Sequence, residues 1–297
     1  MRRHVVGLGE ILWDVLPDGK KLGGAPANFA YHCRQFGLDG IAVSAVGKDA
    51  LAKEIFGQLG EKSLPVCLEE VDYPTGVVNV TLDADGVPCY DIVEGVAYDN
   101  IHWTEALEDL ARTTCAVCFG TLAQRNSASR DSILRFLDTM PSEGTLKIYD
   151  INLRQHYYSK EIVETSLQKS NILKINDEEL AVVNTMFEMG DIPAEESCHR
   201  LMDRFSLDVL ILTCGVNGSY VFAEDTVSFL GTPKVKVADT VGAGDSFTAA
   251  MCAGMLAGLP LSEAHKAAVE VSAYVCTCNG AMPILPPQIT ASLRGSR

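Results

Sequence analysis

The sequence predicts an α/β protein in which helices flank a mostly parallel central sheet, with a small second sheet projecting from it as a lid. Two patterns predict this fold. Short apolar, β-branched segments alternate with helix-like segments along most of the 297 residues. One region instead alternates apolar and polar residues around a turn, which is typical of a hairpin with one solvent-exposed face. The hydrophobic fraction of 47% is enough for an extensive core.

Buried parallel strands are predicted at six places. They are RHVVGLGEIL (3–12), IAVSAVG (41–47), TTCAVCFG (113–120), LKIYDIN (146–152), NILKIN (171–176) and DVLILTCG (208–215). Ligands of such sheets bind beyond the carboxyl ends of the strands, so the residues that follow these segments are the first candidates for a site.

Helices are predicted between and after these strands. The helix-like segments are APANFAYHCRQFG (25–37), SASRDSILRFLDTM (127–140), KEIVETSLQK (160–169), DEELAVVNTMF (177–187) and SFTAAMCAGMLAG (246–258). The last segment is small or apolar throughout and ends at Gly258, which is typical of a buried helix with a glycine stop.

The projecting sheet is predicted from TGVVNVTLDADGVPCYDIV (75–93), with its turn at DADG (83–86), together with residues 11–25. An antiparallel edge of the main sheet is the alternative. Val78, Val80 and Leu82 alternate along one strand, and a sheet of so few strands is not expected to bury that face alone. No Pro-, Gly- or Ser-rich linker divides the chain, so residues 1–297 are predicted to form one domain, with the lid near 11–25 and 76–100.

Charge and composition exclude several classes of function. The formal net charge of −15 argues against binding to nucleic acid or to an anionic membrane, since both require clustered basic residues. Gly, Glu and Asp interrupt the apolar N-terminus before a signal-peptide core forms, and no apolar run approaches the roughly 20 residues of a membrane span. The ten scattered cysteines are typical of reduced core residues, which favours a cytoplasmic location.

The glycine-rich stretch DTVGAGDS (239–246) is a candidate anion site. The amides of Gly242, Ala243 and Gly244 could converge on one anion, and Asp245 would lie at a helix N-terminus, where it stays ionised and able to accept a proton. An ordinary capped turn is the alternative interpretation. A Walker A loop is absent from the sequence, and both Rossmann-like strings fail at the third glycine.

Five motifs together resemble the ribokinase-like (PfkB) carbohydrate kinases, and in particular the fructokinases. They are GGAPAN (23–28), DINLR (150–154), KINDEE (174–179), TCGVNG (213–218) and DTVGAGD (239–245), in the family's order and spacing. The resemblance implies that Asp245 is the catalytic base and that the Gly242, Ala243 and Gly244 amides stabilise the transferring phosphoryl group.

The same resemblance implies further roles. Asn176 and Glu179 would place Mg2+ and the nucleotide phosphates through water, although both are also typical of a capped helix start. A loop with Thr213, Gly215 and Gly218 would bind ATP. The sugar-binding set would be Asp14, Gly23, Gly24, Asn28 and Arg154.

A monovalent-cation site is implied beside the anion site. Asp239, the Val241 carbonyl and the turn at 279–281 match loops that bind such an ion in many members. Members differ in this dependence, so activation by K+ stays open.

The predicted reaction is ATP-dependent phosphorylation of a sugar, with fructose and its 6-hydroxyl favoured because GGAPAN and DINLR are close to the fructokinase forms. Ile151 departs from the usual proline of the second motif. The alternatives are a kinase of 2-keto-3-deoxygluconate or another sugar, a nucleoside kinase, and a non-catalytic sensor. The resemblance also implies a homodimer joined through the lid.

Overall fold

The computed structural model describes residues 3–17, 19–82, 88–224 and 226–294. Its strands are β1 (His4–Leu8), β2 (Leu12–Leu16), β3 (Gly19–Gly23), β4 (Asp39–Gly47), β5 (Val66–Val71), β6 (Gly76–Leu82), β7 (Pro88–Ile92), β8 (Thr114–Phe119), β9 (Leu146–Asp150), β10 (Ile172–Asn176), β11 (Val209–Thr213), β12 (Ser219–Ala223) and β13 (Thr226–Leu230).

Its α-helices are α1 (Ala25–Gln35), α2 (Ala50–Glu61), α3 (Glu105–Thr113), α4 (Ser127–Thr139), α5 (Lys160–Lys169), α6 (Asp177–Met186), α7 (Ala194–Phe205), α8 (Ala243–Leu256), α9 (Leu261–Cys276) and α10 (Pro287–Thr290). None of the helices in the described part of the chain combines the length and the apolar composition that a bilayer span requires.

The main sheet confirms the predicted α/β fold. Its strand order is β13-β12-β11-β10-β9-β8-β1-β4-β5. The strands from β11 to β5 pair in parallel, whereas β12 and β13 extend the edge in antiparallel fashion. Successive residues of β1 point to opposite faces of the sheet. Val5 packs with α1, α8 and α9 on one face, and Val6 packs with the helical layer on the other. Both faces of the sheet are therefore covered, as a parallel sheet requires.

The small sheet is also present, so the alternative of an added edge on the main sheet is wrong. Its order is β3-β2-β6-β7, with β2 and β6 parallel and the two outer pairs antiparallel. The predicted turn at 83–86 lies outside the described residues.

The expected solvent-facing apolar surface of this sheet is not found. Val78 and Val80 are only 6% and 8% exposed, and with Ile92 they belong to the same core cluster as Leu12 of the neighbouring strand. The chain therefore buries this face by itself, and the expectation that Val78 and Val80 need a second subunit is wrong. The side chain of Leu82 lies outside the described residues.

The opposite face divides into two halves. On β2, Trp13 is fully buried and its indole Nε1 donates to the Leu51 carbonyl of α2 at 3.1 Å, which anchors the small sheet to the main domain. On β6 and β7, Thr81, Cys89 and Asp91 are exposed. This second half is accessible.

Candidate active site

Two helix N-termini meet above the sheet and bring Asn28 to Asp245. Asn28 lies in the first turn of α1 and Asp245 in the first turn of α8. The Asn28 Nδ2 donates to Asp245 Oδ2 at 2.7 Å, although the two residues are 217 positions apart. The sequence motifs at 23–28 and 239–245 thus form one site, and Asn28 orients the carboxylate that was predicted to be the base.

The glycine turn before α8 has the form of an anion-binding nest. Gly242 has a φ of 78°, and a Cβ there would come within 2.7 Å of the Ala281 Cα, so glycine is required for both reasons. Among the described residues, the amides of Gly242, Gly244 and Asp245 have no acceptor. The Ala243 amide instead donates to the Thr240 carbonyl at 3.2 Å. Gly242, Gly244 and Asp245 thus have amides available for an anion, whereas the Ala243 amide is already paired, and the anion site itself stays a prediction.

Asp245 lies in an environment that favours proton transfer. Burial raises the pKa of Asp245 to about 6, and the neighbouring Asp150 carboxylate adds to the rise while the Asn28 hydrogen bond opposes it. The group therefore stays ionised near neutral pH, yet it is a stronger base than an exposed aspartate.

A buried ion pair lies beneath the nest. Lys174 Nζ is 3.1 Å from Asp150 Oδ1, and Thr248 of α8 donates to Asp150 Oδ2 at 3.2 Å. Burial opposes the charge of Lys174, but the carboxylates of Asp150 and Glu179 raise its pKa. A Cβ on Gly244 would be only 3.2 Å from Lys174 Nζ, so this ammonium group lies directly beside the nest. The sequence motifs contained both residues, but their pairing was not predicted.

The predicted sugar-binding residues converge on the cleft between the two sheets. Asp14 on β2 is so close to β3 that a Cβ on Gly23 would lie 2.5 Å from Asp14 Oδ2. Gly24 has a φ of 119° and precedes α1 as its N-cap. Burial raises the pKa values of Glu10, Asp14 and Asp245, and the positive charge of Arg154 opposes the rise in each, so its guanidinium lies near all three carboxyls.

Glu10 is a site residue that the sequence analysis missed. It follows β1, is 3% exposed, and burial raises its pKa to about 7. The available signal was an acidic residue within the otherwise apolar segment that was predicted to be the first strand (3–12). Such a position is normally occupied by a carboxylate only when a function requires it.

Glu179 hydrogen-bonds both to the predicted nucleotide-side residue Asn176 and to the segment that carries Arg154, a predicted sugar-side residue. Its Oε2 accepts from the Asn176 amide at 2.9 Å, the Asn176 Oδ1 accepts from the Glu179 amide at 2.8 Å, and its Oε1 accepts from the Leu153 amide at 2.9 Å. The first two bonds form the reciprocal helix cap that was the alternative interpretation. The third bond positions the residue next to Arg154.

Residues 152–157, which we term the strap, then continue to the small sheet. The Gln155 Nε2 donates to the Tyr90 carbonyl at 2.6 Å, and the Tyr157 hydroxyl donates to the Ile92 carbonyl at 3.0 Å. Both acceptors belong to β7. The segment that carries Arg154 is therefore attached to the small sheet by two hydrogen bonds.

The predicted nucleotide loop lies at the end of β11, where Thr213 is the last strand residue and Gly215 and Gly218 bound a short 3-10 turn. Val216 in this turn is 88% exposed, so the loop presents an accessible apolar side chain.

The two predicted cation loops are in contact. Asp239 Oδ1 accepts from the Val241 amide at 3.1 Å and its Oδ2 accepts from the Gly280 amide at 3.2 Å. Burial opposes ionisation of Asp239, but these two amides hold its pKa below the usual value. Among the described residues, no group of three or more His, Cys, Asp or Glu side chains is placed to hold a metal ion. A monovalent cation bound largely by carbonyls would not need such a group.

Comparisons with known proteins identify relatives that align along almost the whole chain. A fructokinase of Klebsiella pneumoniae is 28% identical over 298 residues, covering 94% of this chain and 95% of that protein. An ATP-dependent 6-phosphofructokinase of Thermoanaerobacterium thermosaccharolyticum is 27% identical over 300 residues, covering 95% of this chain and 90% of that protein. The crystal structure of an uncharacterized sugar kinase of Pyrococcus horikoshii in complex with ATP has a TM-score of 0.74 and 25% identity, covering 93% of each chain.

The model of the pfkB family of carbohydrate kinases matches residues 17–288, which include all five motifs and nearly all of the described fold. Relatives with related activities align over almost their whole length. The chain is therefore a carbohydrate kinase, a phosphotransferase whose acceptor is an alcohol group, and belongs to the pfkB family.

Proposed function

We propose that the protein transfers the γ-phosphoryl group of ATP to the 6-hydroxyl of fructose. The observation that carries the proposal is the 2.7 Å bond between Asn28 and Asp245 at the edge of the Gly242–Gly244 nest. It places a raised-pKa carboxylate beside amides that have no acceptor among the described residues. This is the combination that phosphoryl transfer to a hydroxyl requires.

In the proposed mechanism, Asp245 accepts a hydrogen bond from the attacking hydroxyl and takes its proton as the phosphoryl group transfers. Asn28 holds the carboxylate so that its second oxygen faces the acceptor. The amides of Gly242 and Gly244 and the Lys174 ammonium stabilise negative charge on the phosphoryl oxygens. Because the transition state is loose, positioning contributes more than the basicity of Asp245.

Mg2+ fits the site through its waters. Both Glu179 oxygens already accept backbone amides, so Glu179 and Asn176 would bind waters of the hydrated ion through their remaining lone pairs. When bound, Mg2+ would neutralise charge on the nucleotide phosphates. Thr213, Gly215 and Gly218 would contact the nucleotide, and Asp239 with the Val241 carbonyl would support a bound K+ beside the nest.

Fructose is favoured over other acceptors by the fructokinase-like motifs and by the Klebsiella pneumoniae relative. Asp14, Asn28 and Arg154 would bind its hydroxyls, with Gly23 and Gly24 allowing close approach. The relative named 6-phosphofructokinase makes fructose 6-phosphate a second candidate. A 2-keto-3-deoxygluconate kinase and a nucleoside kinase use the same transfer chemistry and stay as alternatives.

The test is an ADP-release screen with Mg2+, with and without K+. The acceptors are fructose, fructose 6-phosphate, ribose, 2-keto-3-deoxygluconate, tagatose and adenosine. We expect the highest kcat/KM with fructose, and product analysis should find the phosphate on the 6-hydroxyl. A higher kcat/KM with another acceptor would replace fructose in the proposal. Sugar binding without ADP release would instead favour a sensor.

The homodimer implied by the family resemblance is also proposed, with the exposed half of the small sheet around Thr81 and Asp91 as the contact surface. We place the contact there and not at Val78 and Val80, because the chain itself buries those two side chains.

A further inference from the structure

Several buried polar atoms around the sugar side of the cleft lack a hydrogen-bond partner among the described residues. They are Glu10 Oε2, Asn28 Oδ1, the Tyr98 hydroxyl and Arg125 Nη1. Proteins rarely leave such atoms unpaired, because each loses its bonds to water on burial. Their concentration in one region points to a ligand that would complete the bonds.

These side chains are held in place by other contacts. Arg125 donates from Nε and Nη2 to the two oxygens of Asp99 at 2.7 and 2.9 Å, and its guanidinium stacks between the rings of Tyr98 and Tyr157. The Tyr98 ring lies against Gly76, where a Cβ would come within 2.6 Å of it. The unpaired atoms are therefore fixed in position, and rotation of a side chain does not readily satisfy them.

Of these residues, Glu10 has the greatest need of a hydrogen-bond partner, because its carboxyl group is almost completely buried. Part of its carboxyl interacts with its own amide and with the Ala25 amide at the start of α1. Oε2 is left free, in a region bounded by Arg154 of the strap, Asp245 of α8 and Tyr98. Nothing in the proposed transfer mechanism uses this oxygen.

We propose that Glu10 is a sugar-binding residue whose Oε2 accepts a hydrogen bond from an acceptor hydroxyl other than the one that is phosphorylated. This proposal rests on the proposed sugar kinase function and names a contact within its acceptor site. The ligand group that fits this oxygen is a hydroxyl, because an accepting carboxylate oxygen needs a donor and a hydroxyl supplies one, whereas an anionic group does not. Tyr98 is the neighbouring group that can donate back to the same hydroxyl.

The substitution Glu10→Gln tests this contact. The glutamine carbonyl oxygen must face the Ala25 amide, so its NH2 group replaces Oε2 and cannot accept a hydrogen bond. We expect the KM for fructose to rise by about tenfold or more, as for a lost hydrogen bond to a charged group. The KM for ATP should not change. Glu69→Gln, on a carboxylate that pairs with His102 outside the cleft, is the matched control and should leave both constants unchanged.

Thermal unfolding without ligand separates binding from a structural role. Glu10→Gln removes a buried, unpaired charge, so we expect its Tm at about pH 8 to equal or exceed that of the wild type. A Tm lowered together with both KM values would mean that Glu10 only supports the fold, and would overturn the proposal.

Monodeoxy analogues of fructose identify the hydroxyl. For one analogue, we expect the wild-type kcat/KM to be lower than it is for fructose. Glu10→Gln should not lower kcat/KM for that analogue any further, because the missing hydroxyl and Glu10 take part in the same hydrogen bond. Equal further losses with every analogue would contradict the contact. If the wild type phosphorylates fructose and Glu10→Gln has an unchanged fructose KM, the Glu10 proposal alone fails. If the screen identifies another sugar, the same comparison applies to that sugar, and a wild type that phosphorylates none overturns both proposals.

Discussion

Asp245 is the residue whose role is most sharply testable through pH. Because its pKa is raised to about 6, kcat should fall as the pH drops through that value and the base becomes protonated. Asp245→Asn should lower kcat by roughly two to four powers of ten and remove this pH dependence. Steady-state kinetics between about pH 5 and about pH 8 measure both effects.

The stability of the same variant is the control. The folded-state pKa of Asp245 lies above the ordinary aspartate pKa of 3.8, so the fold disfavours the charged form. The contribution of this group to stability therefore decreases as the pH rises from 3.8 through about 6. Asp245→Asn should therefore unfold at or above the wild-type Tm near neutral pH. A lower Tm would mean that lost activity reflects damaged structure. Repeating the pH profile in Glu10→Gln removes the second carboxyl that titrates nearby.

The residues of the candidate site that the sequence pointed to share a local signature, and those it missed do not. Asn28 and Asp245 lie in glycine-rich strings at helix starts, so their chemistry could be recognised before their contact was known. The pairing of Lys174 with Asp150 depends on two strands being adjacent, and the unpaired state of Glu10 Oε2 depends on what surrounds it. Neither property is encoded in a short stretch of sequence.

The Tyr157 hydroxyl is one of the two contacts that the strap makes with β7. Tyr157→Phe removes the bond to the Ile92 carbonyl and leaves the ring stacked on Arg125. We expect a higher KM for the sugar and a higher ratio of ATP hydrolysis to sugar phosphorylation, because a less firmly closed sheet admits water. Parallel assays of ADP release and sugar phosphate formation measure the ratio.

Tyr73→Phe, on an exposed side chain, is the matched control and should behave as the wild type. If Tyr157→Phe also keeps the wild-type ratio, then the strap does not hold the cleft closed.

Secondary structure was predictable where one pattern dominated a segment. The six parallel strands and the helices at 25–35, 127–139, 160–169, 177–186 and 243–256 were found near their predicted positions. The edge strands β12 and β13 were not predicted. Thr226, Val227 and Phe229 on β13 are exposed, so this strand lacks the apolar continuity of the inner ones. The burial of Val80 was misjudged because the alternating pattern identifies an apolar face without identifying its partner.

At the scale of the whole molecule, a substitution at Val80 cannot test assembly. It is buried within its own chain, so Val80→Asp would place a charge in the core and should lower the Tm markedly whatever the oligomeric state. Calorimetry checks this expectation. An unchanged Tm would contradict the packing of β6 against the main domain.

The assembly itself is better tested on the exposed half of the small sheet. We expect the wild type to sediment as a homodimer at micromolar concentration, and Thr81→Arg to sediment as a monomer, because a two-fold contact brings the added charges together. Lys53→Arg on α2, a helix outside this surface, should remain dimeric. A wild type that stays monomeric and phosphorylates sugar at full rate would show that the sheet closes without a second subunit.

The bond between Asn28 and Asp245 has a consequence for how the chain acquires its structure during synthesis. The helix that carries Asn28 packs on β1 and on α8, and α8 begins only at Ala243. While the ribosome is still making the central strands, the apolar side of α1, with Phe29 and Cys33, has no cover from α8. The nascent protein therefore carries an unfinished core through most of translation, and the active site forms only when the last fifth of the chain has emerged and folded back onto the first.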